Sequence, residues 1–555
     1  MKKIISALCV GALLLLGRSV AQAQTPQGLD KIKHVVILYL ENRTTDNLYS
    51  LMQGVNGVNG PDGHIIQVDK NDQPYETLPP VLISLEYAGM GRPIDELPGL
   101  PDPRFPKDLP NQPFLIDQYV PNNQLLGTPV HRYYEHILQM NLQPVTPGAT
   151  CALGTPGCVG KMNKYVAWTD VGGQVMGYYD TTKLPLFPYA QHYAFADHFF
   201  TAAFGGSWLN HMWLVCACTP PWPNAPAEFI SKPVFDANGK LIGVDDSEFQ
   251  LVSPDGYGIN TGIESFYPPH SLKTPADHLM PPVELPTLGD RLSEKNISWN
   301  EYNGGWQDAL DHAPEQPIPL VPMPPLSSHV YFKPYGPDMP GRAHLRDSAD
   351  FIGDVVNNKL AAVSIVKPAP PFDEHAGYSI IETAEQHAVL MIQALMLSSY
   401  WNDTAIFITY DDFGGWYDHV PPPTIDRWGP GGRVPLIVIS PYAKQGFIDR
   451  NFYDTTALLK FIETRWQLAP LSARDAGAQD LTNLFDFTQP PSPPFAPDTA
   501  LGQDFSPPAA PSSAAAAEPS VTLTLTQLAL AALLGLGAVG LVVLLLRRRA
   551  QKRAS

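Results

Sequence analysis

The stretch Ile32–Asp46 reads I-K-H-V-V-I-L-Y-L-E-N-R-T-T-D. Its six residues Val35–Leu40 are apolar and rich in β-branched side chains, the pattern of a strand buried on both faces. The run stops at once on Glu41-Asn42-Arg43. A carboxylate, an amide and a guanidinium cannot follow such a strand into the core unpaired, so the triplet is expected where the strand emerges. In open α/β sheets the carboxyl ends of the strands are where ligands bind. Glu41 and Asn42 are therefore read as oxygen ligands for a metal. Taken alone, the same residues would serve equally well as a strand end before a helix cap at Thr44, Thr45 or Asp46.

Working outward, similar units recur. Ala361–Val366 is a strand, followed after Lys367-Pro-Ala-Pro-Pro by Asp373-Glu374-His375. Ile380–Leu397 reads as a helix, with Ile381, Ala384, Ala388, Met391 and Leu395 on one face. Thr404–Tyr410 is a second buried strand, ending in Asp411-Asp412-Phe413-Gly414-Gly415. Val434–Ser440 is a third, and Asp454 caps a helix carrying Leu458, Leu459, Phe461, Ile462 and Trp466. Strands alternating with helices predict an α/β fold, a mostly parallel central sheet with helices on both faces. Parallel strands share one carboxyl edge, so Glu41-Asn42, Asp373-Glu374-His375 and Asp411-Asp412 are expected to converge. Adjacent carboxylates repel, and Asp411-Asp412 calls for a cation or strong hydrogen bonds. Glu41, Asn42, Asp411 and Asp412 form an oxygen-rich set for one divalent metal ion, whose identity such ligands leave open.

Asp197–His211 reads D-H-F-F-T-A-A-F-G-G-S-W-L-N-H. Gly205-Gly206-Ser207 predicts a tight turn into a helix beginning near Trp208, and backbone N–H groups at a helix start attract phosphate. Ser207 is the candidate nucleophile, activated by the metal; on its own it reads as a plain N-cap. His211 falls one turn up the same face. His131, in H-R-Y-Y-E-H, and His375 are candidate acids or phosphate donors, or else structural histidines. Tyr417-Asp418-His419 reads first as structural.

The ends point to export. Residues 1–23 have a charged start at Lys2-Lys3, an apolar core and a small-residue cleavage site, the pattern of a signal peptide. Residues 521–546 are long and apolar enough to span a bilayer, and the basic tail 547–555 sets a cytoplasmic end. Between lie the main domain over 24–490, with a Pro-rich insertion at about 220–340, and a Pro/Ala/Ser-rich tether over 491–520. The expectation is an exported chain, on the periplasmic or extracellular face, anchored in the bacterial inner membrane by its C-terminal helix.

The formal charge is −18. Eight of the 36 basic residues lie in the two terminal segments and no acid does, leaving 28 basic against 54 acidic residues, a net of −26. Such a surface excludes nucleic acid as a partner. Cys151, Cys158, Cys216 and Cys218 suit two disulfides, with three connectivities open; their spacings are poor for zinc. Proline, at 59 of 555 residues, clusters in loops.

Four segments in order carry a resemblance: I-K-H-V-V-I-L-Y-L-E-N-R-T-T-D-N, K-Y-V-A-W-T-D-V-G-G-Q-V-M-G-Y-Y-D (Lys164–Asp180), A-D-H-F-F-T-A-A-F-G-G-S-W-L-N-H, and Y-W-N-D-T-A-I-F-I-T-Y-D-D-F-G-G-W-Y-D-H-V. They resemble the bacterial phosphoesterase family that contains acid phosphatases of the respiratory-burst-inhibiting type and phosphatidylcholine-type phospholipases C, which shares the core fold of the alkaline phosphatase superfamily. The resemblance implies metal ligands at Glu41, Asn42, Asp411, Asp412 and Ser207, with Ser207 also the nucleophile. It implies phosphate-binding or leaving-group histidines at His131 and His375. The phospholipase branch usually has Thr at the nucleophile and Asp-Glu-His where this chain has Asp411-Asp412-Phe413, so both positions point to the phosphatase branch. Two departures stand out. Thr44-Thr45 replace the family's Ser-Phe, and the acid phosphatases' histidine pair before Tyr-Phe is represented by L-S-S-H-V-Y-F, with only His329.

The reading is hydrolysis of small phosphate monoesters through a phosphoserine on Ser207, with His131, His375 and His211 as the accompanying catalytic candidates. The nearest rival is phospholipase C. A rival of another class is a degenerate protein that holds phosphate or a phosphorylated glycan without turnover.

Overall fold

The Val35–Leu40 run lies in β1 (His34–Leu40), and all six of its side chains are fully buried. Each contributes about 1.5–3 kcal/mol by leaving water, which pins the strand in the core and makes its polar end emerge at an edge. The structure is a computed structural model and describes residues 26–58, 65–83, 99–145, 151, 157–244, 250–312 and 327–497. The signal peptide, the membrane-spanning segment and the basic tail expected from sequence lie outside these residues, as does most of the tether. Among the described residues no helix is long and apolar enough to cross a membrane.

Seven further strands complete the central sheet: β2 (Ala194–Ala196), β3 (Trp299–Asn303), β4 (Leu345–Asp347), β5 (Val363–Lys367), β6 (Thr404–Tyr410), β7 (Leu436–Ile439) and β8 (Phe447–Asp449). Their order across the sheet is β4-β3-β5-β1-β6-β7-β2-β8. The five strands from β4 to β6 are parallel. β7 runs antiparallel to both its neighbours, so the sheet is mixed rather than wholly parallel. Helices cover both faces. Helix α1 (Thr45–Tyr49) follows β1, α2 (Tyr133–Met140) precedes the Gly-Gly turn, and α3 (Ser207–Cys216) follows it. On the face bearing Tyr39 and Phe407, Tyr39 meets His211 of α3 and Phe407 meets Phe461 of α5 (Thr456–Trp466). On the other face, Tyr410 adjoins Glu385 of α4 (Ile381–Met396).

One difference from the sequence reading bears on the site. The Pro-rich stretch at 220–340, an insertion by its sequence, contributes β3 to the sheet itself. W-N-E-Y-N does not look like a core strand, because Glu301 and Asn303 are polar; both are nevertheless buried. The cysteines pair Cys151–Cys158 and Cys216–Cys218.

Candidate active site

Four adjacent parallel strands end side by side. β3 finishes in Asn303 and β5 in Lys367, while Glu41-Asn42 directly follow β1 and Asp411-Asp412 directly follow β6. Asp373 and His375 close on the same edge: the Glu41 N–H donates to the Asp373 carbonyl at 2.8 Å. Asn42 has φ 64°, a left-handed backbone that turns the chain at the strand end.

The backbone aims the carboxylates. Asp411 Oδ1 accepts from the N–H groups of Asn42 (3.1 Å) and Asp412 (2.7 Å), and Asp412 Oδ1 accepts from Gly414 at 2.6 Å. Gly414 is required there, since a Cβ would lie 2.3 Å from the Asn42 carbonyl oxygen. The second oxygens, Asp411 Oδ2 and Asp412 Oδ2, are left for the site. Burial and the adjoining Asp411 charge push Asp412 well above the usual carboxylate range.

Ser207 is the first residue of α3, and Gly206 is the N-cap. The plain capping role is thereby excluded. The hydroxyl instead donates to Asp412 Oδ2 at 3.1 Å, with Asn42 Oδ1 at 3.4 Å. Two further contacts hold the turn: the Gly205 N–H donates to His136 Nδ1 at 3.1 Å, and Ala203 N–H to Asn210 Oδ1 at 2.9 Å. Burial holds His136 well below its ordinary pKa, which keeps Nδ1 an acceptor.

His211 joins the carboxylates rather than the histidine pair. Its Nε2 lies 3.6 Å from Asp411 Oδ2, and Nδ1 is 3.5 Å from Ser328 Oγ. His131 and His375 face each other across 5.8 Å. Their Nδ1 atoms are held by the carbonyls of Pro129 and Ala376. Nε2 of His131 is 3.2 Å from Asn42 Nδ2, and Nε2 of His375 is 3.8 Å from Glu41 Oε2. Burial lowers both pKa values, that of His375 to about 4. Near neutrality both rings present a lone pair, and becoming donors requires the negative charge of a bound anion.

Lys367, by sequence the start of a Pro-rich loop, is the last residue of β5. Its ammonium sits 2.8 Å from Glu41 Oε1 and 3.0 Å from Asp373 Oδ2. Burial pushes Glu41 up, but Lys367, His375 and His211 together outweigh it and bring it down to about 2. One ammonium does not serve both acids equally: burial and the Glu41 charge keep Asp373 at about 8 against the pull of Lys367. The signal was present, a lysine ending an apolar strand beside another that ends in glutamate. Arg43 braces the loop instead of facing substrate, donating to the Glu374 carbonyl at 3.1 and 2.8 Å. His329 is likewise turned away, its Nδ1 2.9 Å from Glu301 Oε2.

Two groups of described residues have the composition to hold a metal: Glu41, His211 and Asp411, and Asp46, Asp418 and His419. In the second a cation is already present. Arg433 pairs with Asp46 at 2.9 Å and Asp418 at 3.0 Å, and His419 Nδ1 meets Asp46 at 2.7 Å. That group is a closed ionic network, in keeping with a structural role for Tyr417-Asp418-His419. The first group fits a metal. Among the described residues Glu41 Oε2, Asp411 Oδ2 and His211 Nε2 are buried without a hydrogen bond. The Asn42 side-chain oxygen faces only acceptors, and only a rotated amide would donate to Asp411 and Asp412. Oxygens gathered this way repel unless a cation lies among them.

A profile of the Phosphoesterase family matches residues 32–469. The "Phospholipase C A" of Mycobacterium tuberculosis is 26% identical over 504 residues, covering 84% of this chain and 79% of its own. The "Non-hemolytic phospholipase C" of Pseudomonas aeruginosa is 27% identical over 257 residues, 38% of this chain and 35% of its own. A solved protein of the alkaline phosphatase superfamily from Vibrio parahaemolyticus superposes with a TM-score of 0.30 at 12% identity, over 56% of this chain and 65% of its own, too loosely to carry argument.

Proposed function

Because this chain belongs to the Phosphoesterase family, we propose that it cleaves a phospholipid phosphodiester as a phospholipase C does, with Ser207 as nucleophile. The observation that carries the chemistry is the uncapped Ser207 hydroxyl at a helix start, hydrogen-bonded to Asp412. The choice of diester rests on the relatives, several of which are named phospholipases C.

Ser207 Oγ attacks phosphorus as its proton passes toward Asp412 Oδ2. The Oγ–P bond forms and the bond from phosphorus to the glycerol oxygen breaks, releasing diacylglycerol once that oxygen takes a proton. His131 and His375, the two rings beside Asn42, are placed to bind the phosphoryl oxygens and to carry that proton. Water then attacks phosphorus, frees Ser207 and releases the phosphorylated head group. Glu41, Asn42, Asp411 and Asp412 would hold one divalent ion, with Ser207 and His211 at its edge. When bound, that ion supplies Lewis-acid polarisation of the hydroxyl and counter-charge for the phosphoryl group. The helix start adds backbone N–H groups. Export and membrane anchoring, with no role for nucleic acid, belong to the same reading and suit a lipid substrate.

A second reading, phosphate monoester hydrolysis, is favoured by one observation: serine at the nucleophile and Asp412-Phe413 after Asp411. Vesicles of phosphatidylcholine or phosphatidylglycerol, and soluble 4-nitrophenyl phosphate, separate the two. The expected result is diacylglycerol release that falls at least about 1000-fold in Ser207→Ala. Turnover of the soluble ester with no diacylglycerol would establish the monoesterase instead. Turnover of either that survives Ser207→Ala would remove the nucleophile assignment.

A further inference from the structure

Of the residues at the four strand ends, Asn303 is the one that neither the chemistry above nor an ion pair at the site accounts for. It closes β3 in register with Lys367 of β5, so the two side chains leave the same face of the sheet. That face carries Tyr39 and therefore α3, with Ser207 and His211. Two residues earlier on the same face, Glu301 holds the 327–329 turn: it accepts from Ser328 N at 2.7 Å and His329 N at 3.2 Å. The turn in turn sets Ser328 Oγ beside His211. Asn303 lies one step nearer the carboxyl edge than Glu301, between this wall and Lys367. It is 1% exposed, and neither its Oδ1 nor its Nδ2 has a hydrogen-bond partner.

A buried amide with both ends unpaired is costly, and a native protein retains one where a ligand completes it. The chemistry of that ligand follows from the amide. A phosphoryl oxygen satisfies Nδ2 alone. Oδ1 requires a donor, and a hydroxyl group offers donor and acceptor together. A quaternary ammonium offers neither. We propose that Asn303 is a specificity-determining contact for a hydroxyl on the group esterified to phosphate. The preferred substrate is thus a phosphate ester bearing a free hydroxyl near phosphorus, supplied either by a polyol lipid head group or by a soluble polyol phosphate. This rests on the phosphoester reading above.

The test is a ratio of kcat/KM values. The lipid arm compares phosphatidylglycerol with phosphatidylcholine vesicles; the soluble arm compares glycerol 1-phosphate with 4-nitrophenyl phosphate. The protein is expected to favour the hydroxylated member in one arm, which identifies the source, and Asn303→Ala to lower that ratio about 10- to 100-fold. Asn303→Leu, closer in volume, should give the same fall. Neither variant should melt earlier, because the amide bonds to nothing in the protein. An unchanged ratio in both variants, or a lower melting temperature with an unchanged ratio, overturns the assignment. If no ester is turned over, the phosphoester reading fails separately. Calorimetry of glycerol 1-phosphate with Ser207→Ala, against Ser207→Ala/Asn303→Ala, then decides Asn303: equal binding overturns it, and a 10-fold or greater weakening supports it.

Discussion

Lys367→Met removes a buried ammonium from between two carboxyl groups. At 2.8 Å from Glu41 Oε1, its gross attraction is about 6 kcal/mol at an effective dielectric near 20. Desolvation offsets much of that, and deleting one partner of such a pair costs about 3–5 kcal/mol, because the other charge stays behind. For a body of roughly 470 residues the unfolding entropy is about 1 kcal/mol per degree, so the metal-free variant should melt about 3–5 °C lower. A divalent ion changes the outcome. With Lys367 gone, Glu41 lacks its counter-charge and the site is more negative, so the ion should bind more tightly. At a concentration about 100 times its Kd it returns about 2.7 kcal/mol, most of the loss. The assay is thermal unfolding after chelation and during titration with Mg²⁺, Ca²⁺ or Mn²⁺, with Lys367→Arg as the charge-retaining control. Equal melting of Lys367→Met and the parent protein without metal would refute the pairing. Equal stabilisation of both by the ion would refute the placement of Lys367 beside the metal-binding edge.

Three other outcomes are expected. Burial raises Asp170 to about 6 although its Oδ1 accepts from Val130 N, next to His131. Its folded pKa lies above the unfolded value of 3.8, so its contribution is full below about pH 4 and is lost as pH rises through 6, a change of about 3 kcal/mol. Asp170→Asn, which keeps the acceptor, should flatten denaturant-measured stability between pH 4 and 6. Gly205→Ala places a Cβ 2.6 Å from the Tyr133 backbone at φ 86°, and should lower kcat about 100-fold by shifting Ser207 and also lower the melting temperature, because backbone rather than a flexible side chain must give way. Nε2 of His131 adjoins the Asn42 amide and Nε2 of His375 adjoins Glu41, so the ¹⁵N signals of both rings should move on chelation and return with the ion.

Most of the sheet was legible because its central strands are apolar runs whose burial needs no partner. Thr404–Tyr410 matches the observed strand residue for residue, and Ile380–Leu397 differs from the helix by one residue at each end. Strand direction was not legible, since alternation carries no polarity; nothing in V-P-L-I-V-I-S says that β7 runs against its neighbours. The convergence of Glu41, Asn42, Asp411 and Asp412 was legible for a physical reason: charges that directly follow a core strand have only the carboxyl edge to occupy. His211 was placed among the catalytic histidines because helical spacing sets its face but not its partner. The partner, Asp411, comes from a strand 200 residues away.

Lys367 and Asn303 escaped for a related reason. Lys367 ends the strand beside Glu41's and Asn303 the strand beyond it, yet each looks unlike a site residue in isolation. The lysine's long stem lets its charge reach Glu41 from a position that reads as loop. The asparagine closes a strand whose polar residues are buried by partners distant in sequence. Glu301 makes the point: it is tolerable in the core because a turn from residues 327–329 brings it two backbone N–H groups, a hydroxyl and the His329 imidazole. That turn is the L-S-S-H-V-Y-F segment, which carries the single histidine His329. With the His329 imidazole held by Glu301, the groups left beside His211 and Lys367 on this face are Ser328 and Asn303, which carry no charge. In the proposed function the contacts to phosphate then fall to His131, His375 and the helix start. On the proposed reading, a site with its phosphate-facing groups on one side and uncharged groups toward one ester has its selectivity in β3, the strand least like its neighbours in sequence.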